Sequence, residues 1–241
     1  MADSLDFFCQ DALSSQVFNR RGEDWPDADV TLFEQGIFKG EGYEAQNALA
    51  YMALMSRVMG KAEKLQYEER QTIVFVDEVH TILKIPLTAL YLTKCAKMSR
   101  KLGLWLWLVT QNIGDFTGDA QKILSMVEFW LCLGLSEAEI KALEEFRILT
   151  DEERMLFRSV RKSAKKYVEG VLLCPRLKTL FRNIPPRHCL ALAMTEKQEK
   201  AERMQLMQKY NITELAAARM IAEQMMNNNF MHNKRSFDEA S

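Results

Sequence analysis

Long apolar runs, paired cysteines and a surplus of either charge are what this chain of 241 residues lacks. Lysine and arginine number 32 against 33 acids, a net charge of −1, so no global basic excess marks a nucleic-acid or membrane surface. Its five cysteines (Cys9, Cys95, Cys132, Cys174 and Cys189) form no C-x-x-C pair, and the three histidines give no H-E-x-x-H spacing. Reduced thiols and no structural metal are therefore expected. The longest apolar stretch, Leu102 to Thr110, is far short of the roughly 20 residues a membrane-spanning helix needs. Asp3, Asp6 and Asp11 stand where a secretory signal has a basic start and an apolar run, so no such signal is expected, and any membrane association would be peripheral.

What is present suits one packed core with an appendage: 48% hydrophobic and 27% charged residues. Residues 1–29 read as a polar lead-in, with turn chemistry in Asn19-Arg-Arg-Gly-Glu-Asp-Trp-Pro-Asp27. Ala28 to Phe38 reads as a short strand through Val30, Leu32 and Phe33, closed by Gly36, Gly40 and Gly42. From Tyr43 to about Lys64 the apolar residues recur at helical spacing. Thr72-Ile-Val-Phe-Val76 is β-branched, unbroken by polar residues and too short for a helix, the pattern of a strand buried on both faces of a parallel sheet. Pro86 opens a helix that Gly103 ends, Leu104 to Val109 is a second buried strand, a helix follows near Asp119 to Met126, and Glu128 to Leu133 is a third strand. The order β-α-β-α-β-α-β predicts an α/β fold with a parallel sheet, because consecutive parallel strands need long connections. The domain is placed at 30–194.

Ser136 with Glu139 and Thr150 with Glu153 have capping-box spacing, and Lys166 to Cys174 with Leu177 to Phe181 reads as a hairpin through Pro175 and Arg176. Residues 195–226 read as a methionine-rich helical appendage, with caps at Thr195/Gln198 and Asn211/Glu214, and 227–241 as a disordered tail.

The chemistry concentrates at two strand ends. Thr72 to Val76 runs into Asp77-Glu78, the form of a Walker B element, in which the first acid holds Mg²⁺, directly or through water, and the second polarises the attacking water. The next strand ends in Thr110-Gln111-Asn112, and an uncharged amide there can contact a phosphate oxygen or the attacking water without adding negative charge beside the two acids. In open α/β sheets ligands bind outside this carboxyl edge.

Val17-Phe-Asn-Arg-Arg-Gly-Glu-Asp-Trp-Pro-Asp-Ala-Asp-Val-Thr31, Thr72-Ile-Val-Phe-Val-Asp-Glu-Val-His80, Ser99-Arg-Lys-Leu-Gly-Leu-Trp-Leu-Trp-Leu-Val-Thr-Gln-Asn112 and Glu128-Phe-Trp-Leu-Cys-Leu133 resemble the VirB4/TraC-type conjugative transfer ATPases, and more narrowly the version carried by integrative conjugative elements. The resemblance runs from about Val17 to Leu173. It implies a RecA-like P-loop NTPase core that uses ATP and Mg²⁺, assembles as a hexamer, and energises type IV secretion from the cytoplasmic side of the inner membrane. It further implies catalytic roles for Glu78 and Gln111, nucleotide contacts for Asp77 and Thr110, Mg²⁺ at Asp77, and an arginine finger at Arg100 that completes a neighbour's site.

The 241 residues contain no G-x-x-x-x-G-K-[ST] loop, whose amides and lysine grip phosphate. Gly60-Lys61-Ala62 is the one Gly-Lys, and it falls in a predicted helix. The chain therefore reads as the C-terminal portion of such an ATPase, inactive alone, whose partners are other ATPase subunits or a complementing Walker A-containing chain, and secretion components at the inner membrane. DNA contact is not evident from the sequence. Three other readings stand beside this one, the last being a decaying remnant whose product has no function. Asp77-Glu-Val-His80 also spells the D-E-x-H of superfamily 2 helicases, although Thr110-Gln111 follows where those proteins have a Ser-Ala-Thr-like motif. A non-catalytic fragment could instead bind or regulate a full-length secretion ATPase. An uncovered side of the sheet, with exposed strand edge and apolar surface, is expected if the first strand and its helix are missing.

Overall fold

The computed structural model describes residues 15, 18, 21, 28–38, 40–164 and 166–238, of which 227–238 are described by their backbone. Most of the expected lead-in at 1–29 lies outside them. The chain divides into two compact units, residues 1–127 with 141–148, and residues 128–140 with 149–241.

The first unit is built on two parallel strands and the helices that connect and cover them. Helix α1 (Glu44–Leu65) is followed by β1 (Thr72–Val76), the short α2 (His80–Leu83), α3 (Pro86–Ser99) and β2 (Leu104–Leu108). Pro86 begins α3, where its missing N–H has no intrahelical partner to lose. Gly103 sits in the left-handed region at φ 62°, so the chain turns from helix into strand where a side chain would be strained. The β1–β2 pair is in register from Thr72 opposite Leu104 to Val76 opposite Leu108. Met55 and Ala62 of α1 and Leu92 and Cys95 of α3 are buried in the core of this unit, where α1 packs on α3 and α3 on β2. Burial pushes the Cys95 thiol up from its usual range and the Tyr51 hydroxyl further still, the neighbouring Cys95 adding to the second shift. The hydroxyl of Tyr51 has no hydrogen-bond partner among the described residues.

Three expectations change here. Ala28 to Phe38 forms no strand; Val30 and Leu32 are exposed, and only a 3₁₀ turn at Gly36–Phe38 is ordered into an element. A short apolar run forms a strand only where a neighbouring edge pairs with it, and alternation cannot report whether one exists. β1 and β2 are not buried on both faces: Ile73, Phe75, Trp105 and Trp107 project to one exposed side at 62%, 60%, 41% and 51% of full accessibility. The third strand does not extend this sheet. The helix before it is short, α4 (Gln121–Leu124), and β3 (Trp130–Leu133) pairs antiparallel with a later strand in the second unit.

The second unit is a four-stranded antiparallel sheet with helices. After β3 come α5 (Glu137–Glu144), whose residues from Lys141 on are counted with the first unit, then α6 (Asp151–Ser159), β4 (Lys162–Ser163), β5 (Tyr167–Cys174) and β6 (Leu177–Asn183). β5 is central, pairing with β3 and β4, and with β6 through the turn at Pro175-Arg176. Gly170 on β5 lies under the Phe181 ring, where a Cβ would meet ring atoms at 2.6 Å. Both expected capping boxes form: the Thr150 amide donates to Glu153 at 2.7 Å while the Glu153 amide donates back to the Thr150 hydroxyl, and Ser136 and Glu139 repeat the exchange.

The carboxy-terminal helices are α7 (Arg187–Ala193), α8 (Lys197–Tyr210) and α9 (Glu214–Asp238). Ala191, Met194, Ala218, Ile221 and Ala222 form their core, with Leu206 and Met225 against it. The helical group thus begins at Arg187, ahead of residue 195, and the backbone stays helical past Met226 to Asp238. Buried Arg203 donates to the carbonyls of Ala191 and Leu192 at 2.8 and 3.3 Å, taking up orphan carbonyls at the end of α7, and pairs with Glu214 at 3.0 Å. The helix starts are displaced from the sequence reading. Glu196 with Glu199 caps α8, and Thr213 accepts from the Ala216 amide at α9, while Asn211 closes α8 with φ 49°.

Candidate functional site at the carboxyl edge of the parallel pair

Parallel pairing decides which of the singled-out residues meet. Because Val76 lies opposite Leu108, the segments Asp77-Glu78 and Val109-Thr110-Gln111 leave the sheet at the same edge. The backbone holds them together beyond the strands: Val109 donates to the Val76 carbonyl at 2.9 Å, and Val79 donates to the Val109 carbonyl at 3.0 Å. The acid pair and the Thr-Gln pair are thus neighbours in the structure, though more than thirty residues apart in the chain.

The acid turn is tightly organised. Glu78 has φ 49°, a left-handed conformation that costs a non-glycine residue roughly 1 kcal/mol or more. The Asp77 carboxylate accepts from the Glu78 amide at 2.9 Å, and the Glu78 carbonyl accepts from both the amide and the hydroxyl of Thr81, at 3.0 and 2.9 Å. Val79, fully buried, and Ile82 anchor the turn from beneath. Asp77 is exposed and Glu78 half-buried, so both carboxylates belong to a solvent-facing rim. The second turn has a comparable frame. Thr110 donates through its hydroxyl to Asp115 Oδ2 at 2.6 Å, Asn112 Oδ1 accepts from the Gly114 amide at 2.9 Å, and Gln111 is exposed between them.

Arg100 is not part of this edge. It opens the 3₁₀ turn Arg100–Leu102 ahead of β2, at the strand's amino end, and five strand residues rising about 3.3 Å each separate the two ends. Within one chain Arg100 therefore does not reach the acids. Gly60-Lys61 lies inside α1, where helical backbone spends its amides on its own carbonyls and offers no phosphate cradle. His80 begins α2 beneath the acid turn.

Hard oxygen donors make up the edge: the carboxylates of Asp77 and Glu78, the Thr110 hydroxyl and the Gln111 amide. Mg²⁺ is commonly held by one or two carboxylates with substrate phosphates and water, so these groups fit a metal that arrives with a nucleotide. They do not make a dedicated cage; among the described residues no group of three or more His, Cys, Asp or Glu could hold an ion by itself. Among those residues no helix is long and apolar enough to cross a membrane.

No protein-family profile and no curated protein matches the chain. Among solved structures it is similar to VirB4 of Thermoanaerobacter pseudethanolicus, with 18% sequence identity and a TM-score of 0.44, over 66% of this chain and 41% of that one. The aligned part is less than half the length of that structure.

Proposed function

We propose that this chain is the C-terminal part of a conjugative transfer ATPase of the type IV secretion kind, contributing the Walker B acids and a sensor glutamine to ATP hydrolysis. The observation that carries this reading is the shared carboxyl edge of β1 and β2, with Asp77-Glu78 on one strand and Thr110-Gln111 on its parallel neighbour. The motif resemblance supports it from the sequence side. Asp77 holds the metal of a magnesium nucleotide, which when bound neutralises phosphate charge. Glu78 accepts a proton from the attacking water or orients it, and Gln111 donates its amide to a phosphate oxygen without adding a negative charge. Thr110, fixed on Asp115, sets the direction of the Gln111 loop.

The phosphate-gripping loop comes from outside these 241 residues, in a complementing Walker A-containing chain or segment. The exposed side of the parallel pair, Ile73, Phe75, Trp105 and Trp107, favours such a partner: four large apolar side chains on one sheet face are an unmet burial surface. Arg100, at the far end of β2, serves a neighbouring subunit in a ring, hexameric in the related motors, and the assembly works at the cytoplasmic face of the inner membrane.

Hydrolysis measured on a mixture of the chain with a polypeptide carrying the Walker A half of a related ATPase tests the reading. The mixture turns over ATP, Glu78→Gln and Gln111→Ala each lower the rate by 10²-fold or more without loss of complex, and neither component is active alone. Turnover that is indifferent to both substitutions rejects it.

A further inference from the structure

Helix α3 packs into the first unit with one side and leaves the other open. Thr88, Ala89, Leu92, Thr93 and Cys95 are buried, whereas Leu87, Leu90, Lys94, Lys97 and Met98 are exposed, and at about 100° per residue the second set falls on one face of the helix. Leu87 and Leu90 keep 56% and 54% of full accessibility. With Tyr91, Thr93 and the two lysines they line a shallow hollow of about 400 Å³. From Pro86 to Ser99 the helix has no acid. Among the described residues no ion pair engages Lys94 or Lys97; Asp119 lies close enough to feel the charge of Lys97 but is paired with Lys122.

An acidic amphipathic helix is the complement of such a face, and residues 1–14, outside the described residues, have that pattern in their sequence. Leu5, Phe8, Cys9, Ala12 and Leu13 stand at i, i+3, i+4, i+7 and i+8, Asp3, Asp6 and Asp11 are the charged side chains of the stretch, and it contains no lysine, arginine or histidine. Phe7 is the one aromatic residue that falls off this stripe. The point of attachment suits the match. Ser15 and Phe18 have helical backbone, and the Phe18 ring stacks on Phe38 at 5.8 Å, itself 6.4 Å from Tyr43 at the start of α1. Tyr51, about 12 Å further along α1, neighbours Tyr91 and Cys95 of α3. A helix over residues 1–14 spans about 21 Å, enough to bring its stripe from Phe18 to α3.

We propose that the exposed face of α3 is a docking surface for the chain's own residues 3–13, held as a helix with the Leu5, Phe8, Ala12 and Leu13 stripe on Leu87, Leu90 and Met98 and its acids beside Lys94 and Lys97. Burial of the apolar side chains supplies the affinity. The exposed ion pairs contribute little to it but decide which partner and which orientation are accepted. A tethered segment meets its surface at an effective concentration in the millimolar range, so a contact that is weak between separate molecules is mostly formed within one. A second copy or another protein lacks that advantage. The docking uses no residue of the carboxyl edge and does not rest on the ATPase reading.

The test is disulfide trapping in the full chain under mild oxidation, with the exposed Cys189 replaced by serine and the bridges mapped by peptide mass. Leu90→Cys is expected to bridge to Cys9 within one molecule in more than about half of the chains, at a yield that about tenfold dilution leaves unchanged. Lys64→Cys, in the last turn of α1, gives a yield lower by about fivefold or more. Adding Lys94→Glu with Lys97→Glu to Leu90→Cys lowers the bridge about fivefold, and Asp6→Lys with Asp11→Lys restores it, with the circular dichroism spectrum unchanged throughout. No bridge to Cys9, a bridge between two molecules, equal yields at Leu90→Cys and Lys64→Cys, or a charge effect that the compensating pair does not undo each overturns the assignment.

Discussion

Val79 donates its amide to the carbonyl of Val109 at 3.0 Å, carrying the pairing of β1 and β2 past the last strand residues and joining the turn after the acids to the Thr110-Gln111 loop. The two loops are therefore tied to each other through backbone. Under the function proposed above, an acid that activates water and an amide that contacts phosphate must keep a fixed separation, and a shared ladder supplies it.

Backbone strain at Glu78 separates its structural from its chemical role. Glycine adopts φ 49° without the steric cost that glutamate bears, though it loses more chain entropy on folding. Glu78→Gly is expected to leave the urea midpoint of the isolated chain unchanged or raise it by an amount worth up to about 1 kcal/mol, while abolishing turnover in the complemented mixture. A destabilisation of about 2 kcal/mol or more would show that the Glu78 side chain holds the fold.

The exposed face of the parallel pair makes a prediction about solution behaviour. Trp107 and Phe75, whose ring centroids are 6.4 Å apart, are each more than half exposed. Trp107→Lys is expected to reduce self-association in sedimentation velocity at a cost within about 0.5 kcal/mol, since little buried surface is lost. It is also expected to weaken association with the complementing polypeptide. A large loss of stability would mean that the tryptophan is covered within the chain.

Tyr51 offers a stabilising substitution. Its hydroxyl is buried with no hydrogen-bond partner among the described residues, and burial raises its ionisation well above the usual range. Tyr51→Phe removes the unsatisfied group while keeping the ring, and an increase of about 1 kcal/mol in unfolding free energy is expected. An equal loss would reveal a partner for the hydroxyl in solution.

Local signals in the sequence located most elements, and long-range pairing was the part they could not specify. Pro86, Gly103 and the two capping boxes mark element ends because their effects are confined to one turn. The Thr72 and Leu104 runs also identify strands, and the crossover helix between them implies that they are parallel. Yet both runs are apolar at almost every position, so alternation could not reveal that Ile73, Phe75, Trp105 and Trp107 share an open face. The Glu128–Leu133 run reads as a strand, but nothing local distinguishes a parallel neighbour from the antiparallel partner β5 that it takes. Helix α7, which has Pro186 at its N-cap, has no counterpart in the sequence reading, since seven residues are too few for a helical period to show. At the site, the four carboxyl-edge residues follow from strand order alone, whereas the position of Arg100 at the opposite end follows from its being ahead of β2.

The most direct measurement is calorimetric titration of magnesium ATP into the chain alone, into the Walker A polypeptide alone, and into their mixture. The account predicts binding in the mixture that neither component shows by itself, and its loss with Asp77→Ala and Glu78→Gln together. Binding by this chain alone, or binding in the mixture that survives the double substitution, would contradict it.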